Sequence, residues 1–327
     1  MRVAVIGAGV AGLAASRELS KQGIETVVFE AADRVGGRVR TVRENGYVAD
    51  YGPQQIVPRK MQIERTLLHE LPTTGLVKIE KPTHLLQGYR AAAASKMQNS
   101  TDRYTYLQGI DEFPRLLAEG LEIRLDARVD EIKNGTAGYR VLDRDFEAVI
   151  LTAPLPDIAH ILAARKDRRA NLNIAYRSCL SVCVGFAASP PKVPFYSLLS
   201  TDRMTPLIWL GAETEKCPER APEGYALFVA QYGPEFSEDN FQIEEAKLVS
   251  TTVQTVSRIF GSEYSSPDWH FVYRWKISQP ERVALFDAIN PEGERLILAG
   301  DGTVAGRIEN AFESGHKAAE RIAKLIR

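Results

Sequence analysis

Apolar residues open the chain in an unbroken run, Val3-Ala4-Val5-Ile6, which gives way directly to glycines at positions 7, 9 and 12. So short a run, ending in turn residues, predicts a buried strand. Leu13, Ala14 and Leu19 then share one face of a helix expected over 13–22, with Gly23 placed to stop it. A second apolar strand at 26–29 ends in Glu30, and 62–71 again carries helical spacing. The alanines at 91–94 suggest a surface helix turn or a loop. From 121 onward short strands follow one another, at 122–125, 129–132, 139–142 and 148–152, the last closed by Ala153-Pro154. The stretch 180–276 is mostly strand-like, at 180–186, 207–210, 225–232 and 269–275. A helix near 242–260 interrupts it, with Ile243, Leu248, Val249, Val253, Val256 and Phe260 on its apolar side. A buried-type strand at 295–299 feeds Gly300-Asp301-Gly302 and a closing helix. On that helix Ile308, Ala311, Phe312, Ala318, Ala319, Ile322 and Ile326 recur at helical spacing, and Lys324 and Arg327 suit its negative end.

Strand, glycine turn, helix and acidic strand end together have the form of a dinucleotide-binding βαβ unit. Gly7 permits the tight turn, Gly9 lets backbone amides approach a pyrophosphate, and Gly12 lets helix and strand pack closely. The helix N-terminus offers oriented N–H groups to the anion, and Glu30 can accept from ribose hydroxyls while repelling a 2′-phosphate. Nucleotide elements lie at both ends of the chain and none in its β-rich middle. The expected fold is therefore α/β and discontinuous. A Rossmann-type domain of 1–55, 105–155 and 283–327, with a parallel sheet and a small β meander, is interrupted by a mainly antiparallel β substrate or cap domain of 56–104 and 156–282.

Composition narrows the partners. The 327 residues carry a net charge of −1 with 44% hydrophobic and 25% charged residues, which gives no electrostatic case for nucleic acid or an anionic membrane. No apolar run approaches the roughly 20 residues of a membrane helix. Cys179, Cys183 and Cys217 make neither a metal spacing nor an even disulfide set, so a reducing, cytoplasmic setting is expected. The five histidines at 69, 84, 160, 270 and 316 show no clustered spacing, and no metal is expected.

Several stretches together resemble the FAD-dependent amine oxidase superfamily: the Gly7–Gly12 turn with Glu30, Arg34-Val35-Gly36-Gly37-Arg38, Asp50-Tyr51-Gly52-Pro53-Gln54, and Gly300-Asp301 before the last helix. Within it the chain looks most like renalases, through Gly52-Pro53-Gln54-Gln55-Ile56, Leu107-Gln108-Gly109-Ile110, the segment 149–156, Ile174-Ala175-Tyr176-Arg177-Ser178 with Val184-Gly185-Phe186, and Trp275-Lys276-Ile277-Ser278-Gln279. The likeness runs along nearly the whole chain but is patchy between these blocks. It implies an FAD held by Gly7, Ala8, Gly9, Val10, Ala11, Gly12, Glu30, Ala31, Gly37, Arg38, Gly52, Pro53, Gln54, Val129, Gly300, Asp301, Arg307 and Ile308. Three departures bear on the chemistry. No lysine falls in 174–186, where monoamine and polyamine oxidases place one near flavin N5; Asp301 replaces their glutamate, and no cage tyrosine lies between Gly302 and Asn310. No cysteine follows Cys217, so the FAD is expected to be non-covalent.

On this likeness the expected reaction is hydride transfer from a small reduced substrate, of dihydronicotinamide type, to flavin N5, with O2 or another small acceptor taking the electrons. Gln54, Trp275 and Lys276 are the catalytic candidates, and Trp209, Tyr232 and Tyr273 the expected substrate wall. Hydride loss from a flat ring needs no protein base, and the chain shows neither a Ser-His-Asp set nor a carboxylate pair. Gly300–Gly306 also permits a second nucleotide loop for NAD. An amine oxidase, a protoporphyrinogen or carotenoid-type dehydrogenase, an NAD(P) dehydrogenase and a non-catalytic FAD-binding protein remain alternatives at this level.

Overall fold

The computed structural model describes residues 2–202 and 204–326, without the side chain of Ile326; the expectations placed on that side chain and on Arg327 lie outside the described residues. In chain order, the elements that build the site begin with β1 (Arg2–Ile6), α1 (Val10–Lys21), β2 (Glu25–Phe29), β3 (Glu122–Arg124) and β4 (Ala148–Leu151). They continue with β5 (Tyr176–Phe186), β6 (Leu207–Ala212), β7 (Ala226–Tyr232), α2 (Glu245–Phe260), β8 (Trp269–Pro280), β9 (Leu296–Leu298) and α3 (Ile308–Ile326).

Five of these strands form an all-parallel sheet in the order β9-β4-β1-β2-β3. Its central strands are buried along nearly their whole length, as a sheet covered on both faces requires. On one face α1 and α3 pack together over Val3, Val5, Ile150 and Ile297. The other face is closed by Ile158, Ile161 and Leu162 of Leu155–Ala164 and by a three-stranded meander, Ile132–Gly135, Gly138–Val141 and Arg144–Phe146. The first and last strands of the chain thus share one sheet.

The second sheet has seven strands in the order β8-β5-β7-β6, then Ser197–Ser200, Thr83–Gln87 and Arg90–Ala92. It is antiparallel apart from the pairing of Ser197–Ser200 with Thr83–Gln87. Leu248, Val249, Val253 and Val256 of α2 cover one face. The hairpin Thr41–Glu44/Tyr47–Asp50 turns on Asn45-Gly46, both at positive φ (51° and 81°) as a two-residue turn demands. Its Tyr47 and Ala49, with Tyr51, pack on the other face against Cys183, Leu227 and Trp269. The loop after Asp50 is thereby held between the two sheets.

Several boundaries differ from the sequence reading. The alanines at 91–92 belong to a strand, because Arg90–Ala92 pairs with Thr83–Gln87 at the sheet edge. Position 129 is not in a strand; pairing begins at Ile132. The first helix starts at Val10, inside the glycine turn, and β5 starts at Tyr176. Pairing sets these strand boundaries, with a neighbouring strand for Arg90–Ala92 and Ile132 and with the distant β8 for β5.

Candidate active site

The glycine turn is built by close approach. Gly7 sits at φ 106°, its N–H donates to the Phe29 carbonyl (2.8 Å), and its carbonyl accepts from Thr152 Oγ1 (3.0 Å). A Cβ on Gly12 would land on that Gly7 carbonyl oxygen, so α1 can start only here without a side chain. Glu30 holds the turn from β2: one carboxylate oxygen accepts from Ala8 N–H (2.7 Å), the other from Ala32 N–H (2.9 Å). The doubled glycine lies against the same turn. Gly36 N–H donates to the Ala8 carbonyl (2.8 Å), and a Cβ on Gly37 would stand 3.3 Å from the Gly9 Cα.

Arg38 reaches from this loop to the C-terminal part of the chain. Its guanidinium donates to Asp301 Oδ1 (2.7 Å) and to the Ser278 carbonyl (2.7 Å), joining the N-terminal nucleotide loop, β8 and the strand end at Gly300-Asp301 in one clamp. Tyr176 Oη approaches the same Asp301 oxygen at 3.5 Å, and burial raises its phenol above the ordinary value. Gly300 itself sits at φ 112°, with its N–H donating to Ser314 Oγ of α3 (3.0 Å). The start of α3, at Ile308 and Glu309, lies beside it.

The loop that follows Asp50 is gripped carbonyl by carbonyl. Trp275 Nε1 donates to the Tyr51 carbonyl (3.0 Å), Gln231 Nε2 to that of Gly52 (2.7 Å) and Lys216 Nζ to that of Gln54 (3.3 Å). Gln54 Nε2 donates back to the carbonyls of Asp50 and Gly52. Beneath the loop lies a fully buried ionic cluster of Asp50, Glu213, Lys216 and Arg220. Burial alone would raise the Asp50 carboxyl, but the Arg220 and Lys216 cations outweigh it and lower the pKa to about 2. For Glu213 burial wins, and its carboxyl is raised.

These segments enclose one cavity of about 740 Å³, within the roughly 300–1,000 Å³ of small-molecule and cofactor sites. It runs from Glu30, Ala31 and Val129 past Gly7, Gly9, Val10, Ala11, Gly37 and Arg38 to Gly300, Asp301, Arg307 and Ile308. At the far end are Gly52, Pro53, Gln54, Trp209 and Trp275. Of the residues the sequence singled out, Ala8 and Gly12 do not border it, because Ala8 N–H is taken by Glu30 and Gly12 lies under the turn. Three others also fall elsewhere. Tyr232 is core, its hydroxyl bonded to Thr252 (2.7 Å) and its ring stacked on Phe236. Tyr273 packs on Tyr51 and Trp275 and is 38% exposed at the surface. Lys276 is exposed and does not border the cavity, because it points away from its neighbour Trp275 in the strand alternation of β8.

The far wall also contains residues given no role from sequence, among them Arg177, Cys179, Gln231 and Gln279. Arg177 and Gln279 face each other across β5 and β8, and the guanidinium donates to the Gln279 amide oxygen. Arg177, Cys179 and Gln279 fall outside the strands expected at 180–186 and 269–275, and the pairing that brings them into the wall shows only in the sheet. No histidine, lysine or tyrosine borders the cavity among the described residues. Burial pushes the Cys179 thiol up to about 11, so it stays protonated at neutral pH. No cluster of three or more candidate metal ligands occurs among the described residues. No described helix is long and apolar enough to cross a membrane.

The cavity suits a dinucleotide of flavin type. A Cβ built on Gly9 meets nothing within 4 Å, so open space lies over the turn where a pyrophosphate would approach. Gln54 Oε1 and Trp209 Nε1, both buried on residues that border the cavity, have no hydrogen-bond partner among the described residues. Unmet buried groups of this kind cost about 1–3 kcal/mol each and mark where a ligand or ordered water belongs.

Comparison with known proteins agrees. A family model described as flavin containing amine oxidoreductase matches residues 84–323, and one for an NAD(P)-binding Rossmann-like domain matches 5–71. Protoporphyrinogen oxidase 2 of Arabidopsis thaliana is 45% identical over 62 residues, covering 19% of this chain and 12% of that protein. L-amino-acid oxidase of Crotalus adamanteus is 47% identical over 64 residues, covering 20% and 12%. The chain therefore matches only a small share of these relatives' length. Among solved structures, cyclohexylamine oxidase from Brevibacterium oxydans superposes with a TM-score of 0.76 at 16% identity, covering 99% of both chains. Reduced UDP-galactopyranose mutase superposes with a TM-score of 0.78 at 12% identity, covering 99% and 96%. At such identities the likeness is one of fold.

Proposed function

Because the chain belongs to the family of flavin containing amine oxidoreductases, and is thus an FAD-dependent oxidoreductase, we propose that it takes a hydride from a small, flat, reduced substrate of dihydronicotinamide type, as renalases do, with O2 as the terminal acceptor. The observation that carries this reading is the make-up of the cavity wall. Trp209 and Trp275 border it, no histidine, lysine or tyrosine does among the described residues, and its carboxylates, Glu30, Asp157, Asp301 and Glu309, lie on the nucleotide-binding side, so the wall with the tryptophans holds no group to receive a proton. A donor that loses only a hydride needs none.

The residues that would hold non-covalent FAD divide by position. Glu30, Ala31 and Val129 would take the adenosine end. The backbone at Gly9–Ala11, where α1 begins, would face the pyrophosphate. Gly37 and Arg38 would extend that contact, and Gly300, Asp301, Arg307 and Ile308 would meet the far half of the cofactor. Bound FAD supplies the two-electron hydride acceptor of the reaction. The chain's own tasks are to seat the donor against Trp209 and Trp275, to keep Gly52–Gln55 fixed through Trp275, Gln231 and Lys216, and to direct the positive end of α3 toward the site.

The test is anaerobic mixing of the purified yellow protein with dihydronicotinamide isomers, primary amines and protoporphyrinogen, following the flavin band near about 450 nm. Bleaching by a dihydronicotinamide within seconds, with amines inert, is the expected result. Bleaching by an amine or protoporphyrinogen instead replaces this reading with an oxidase of that kind.

A further inference from the structure

The cavity wall furnished by the antiparallel sheet and the loop Gly52–Gln55 is uncharged with one exception. Among the described residues it comprises aliphatic, aromatic and amide side chains, Cys179, Ser278 and one cation, Arg177; Arg59, further along the same segment, also borders the cavity but interacts with Glu309 of the nucleotide-binding side. Every carboxylate that borders the cavity, at Glu30, Asp157, Asp301 and Glu309, comes from the nucleotide-binding side. Asp301 is already joined to Arg38, and Arg307 lies 3.8 Å from Glu309. Arg177, in contrast, makes its one hydrogen bond among the described residues to a neutral group, the Gln279 amide oxygen. That bond also fixes the Gln279 amide so that its NH2 is left as a further donor beside the guanidinium.

Strand register places this pair relative to the rest of the wall. On β5, Cys179 lies opposite Trp275 of β8, and Ser181 lies opposite Gln231 of β7, which in turn pairs with Trp209 of β6. Arg177 therefore stands about 13 Å along the strand from the level of Gln231 and Trp209, which lie to one side of β5, while Trp275 flanks Cys179 on the other side. The register is interrupted between Arg177 and Cys179, an irregularity of the kind that re-aims side chains at sites. A flat ring seated against the tryptophans would have a fixed positive fork within reach at one end and no negative group on the same wall.

We infer that Arg177, with the Gln279 amide, is an anion-recognising arm of this chamber, so that the substrate carries a carboxylate or phosphate and protonated amines are rejected. This rests on the reading that the Trp209–Trp275 wall faces the substrate, and it adds to that reading the charge of the substrate. The guanidinium fork matches two anionic oxygens at once. An ammonium group would meet a cation, with no carboxylate on its own wall among the described residues to balance it.

The test uses the oxidised, FAD-loaded protein and reads binding from the perturbation of the flavin spectrum, without turnover. Three probes of one shape and different charge are titrated: benzoate, benzamide and benzylammonium. Benzoate is expected to bind tightest and benzylammonium weakest. In Arg177→Met the benzoate Kd should rise at least about tenfold while that for benzamide stays within about twofold, and Arg177→Lys should fall between. Displacement of benzoate by ribose 5-phosphate would assign the arm to a phosphate on the substrate; persistence of benzoate would assign it to a carboxylate on the ring. Benzylammonium binding as tightly as benzoate, or an unchanged benzoate Kd in Arg177→Met, overturns the inference. Should the Met variant retain no flavin, the wild-type charge series together with Arg177→Lys still decides. Bleaching by dihydronicotinamide without selective benzoate binding would leave the redox reading standing and remove only this one.

Discussion

At Gly9 a Cβ has open space around it, whereas three residues later at Gly12 it falls on the Gly7 carbonyl oxygen. The two glycines of one motif thus serve different ends, and substitutions separate them. Gly9→Leu should copurify without the flavin band, because its side chain would occupy the cavity, and should melt like the wild type stripped of FAD. Gly12→Ala should be destabilised by about 1–3 kcal/mol or more, measured by thermal unfolding, because backbone must give way. The motif itself was legible in the sequence, since each glycine answers a local backbone demand. Asp50 was not legible as a charge-cluster residue: its partners Lys216 and Arg220 are some 170 positions away in a stretch with no motif. Asp50→Asn would leave two buried cations facing Glu213 alone, and a loss of about 3–5 kcal/mol in denaturant unfolding is expected. The pH dependence has a definite sign. The folded carboxyl of Asp50 lies at about 2, below its unfolded value near about 3.9, so its contribution is full above that unfolded value and is lost as pH falls toward 2. Glu213, raised by burial, works in the opposite direction and takes a proton at higher pH. A melting curve for the wild type that stays flat between pH 4 and pH 2 relative to Asp50→Asn would contradict this assignment.

Helix α1 meets α3 where Gly315 rests on the Ala11 carbonyl, an approach too close for any side chain. Both helices show their apolar faces in the sequence, and the amphipathic spacing of α3 predicted its burial; their mutual contact was implied only by the likeness of the two chain ends to one nucleotide domain. The strands show the same division. Alternation along β8 separates Trp275 from Lys276, yet the sequence reading took both as site candidates because a shared block does not reveal which face turns inward. Tyr232 was misplaced for a similar reason, since β7 is buried on both faces and its parity alone does not say which face meets the cavity. The Arg34–Arg38 stretch lies against the nucleotide turn through Gly36, and its Arg38 also joins two elements some 240–263 positions downstream. Arg38→Met should therefore loosen flavin binding without abolishing secondary structure. An increase of at least about tenfold in the FAD dissociation constant, with an unchanged far-UV spectrum, is the expected outcome. Retention of wild-type FAD affinity would show that the clamp is not needed to shape the site.

At the level of the whole molecule, one cavity is bordered by the parallel sheet, the antiparallel sheet and both ends of the chain. A ligand seated there touches every unit that has to stay together, so binding and folding are linked across the molecule. The three tryptophans, Trp209, Trp269 and Trp275, all lie in β6 and β8 of the antiparallel sheet. Their fluorescence reports that sheet, while the far-UV signal is carried by α1 and α3 on the parallel sheet together with α2 on the antiparallel one. Removal of FAD should lower both transitions together, and restoring it at about a hundred times its dissociation constant should return about 2.7 kcal/mol, on the order of 5 °C. Were the tryptophan transition to move with FAD while the helical one stayed in place, or the reverse, the cofactor would be held by one sheet only. The parallel and antiparallel halves would then be independent neighbours, and the wall carrying Trp209, Trp275 and Arg177 would not be the lid over a bound flavin.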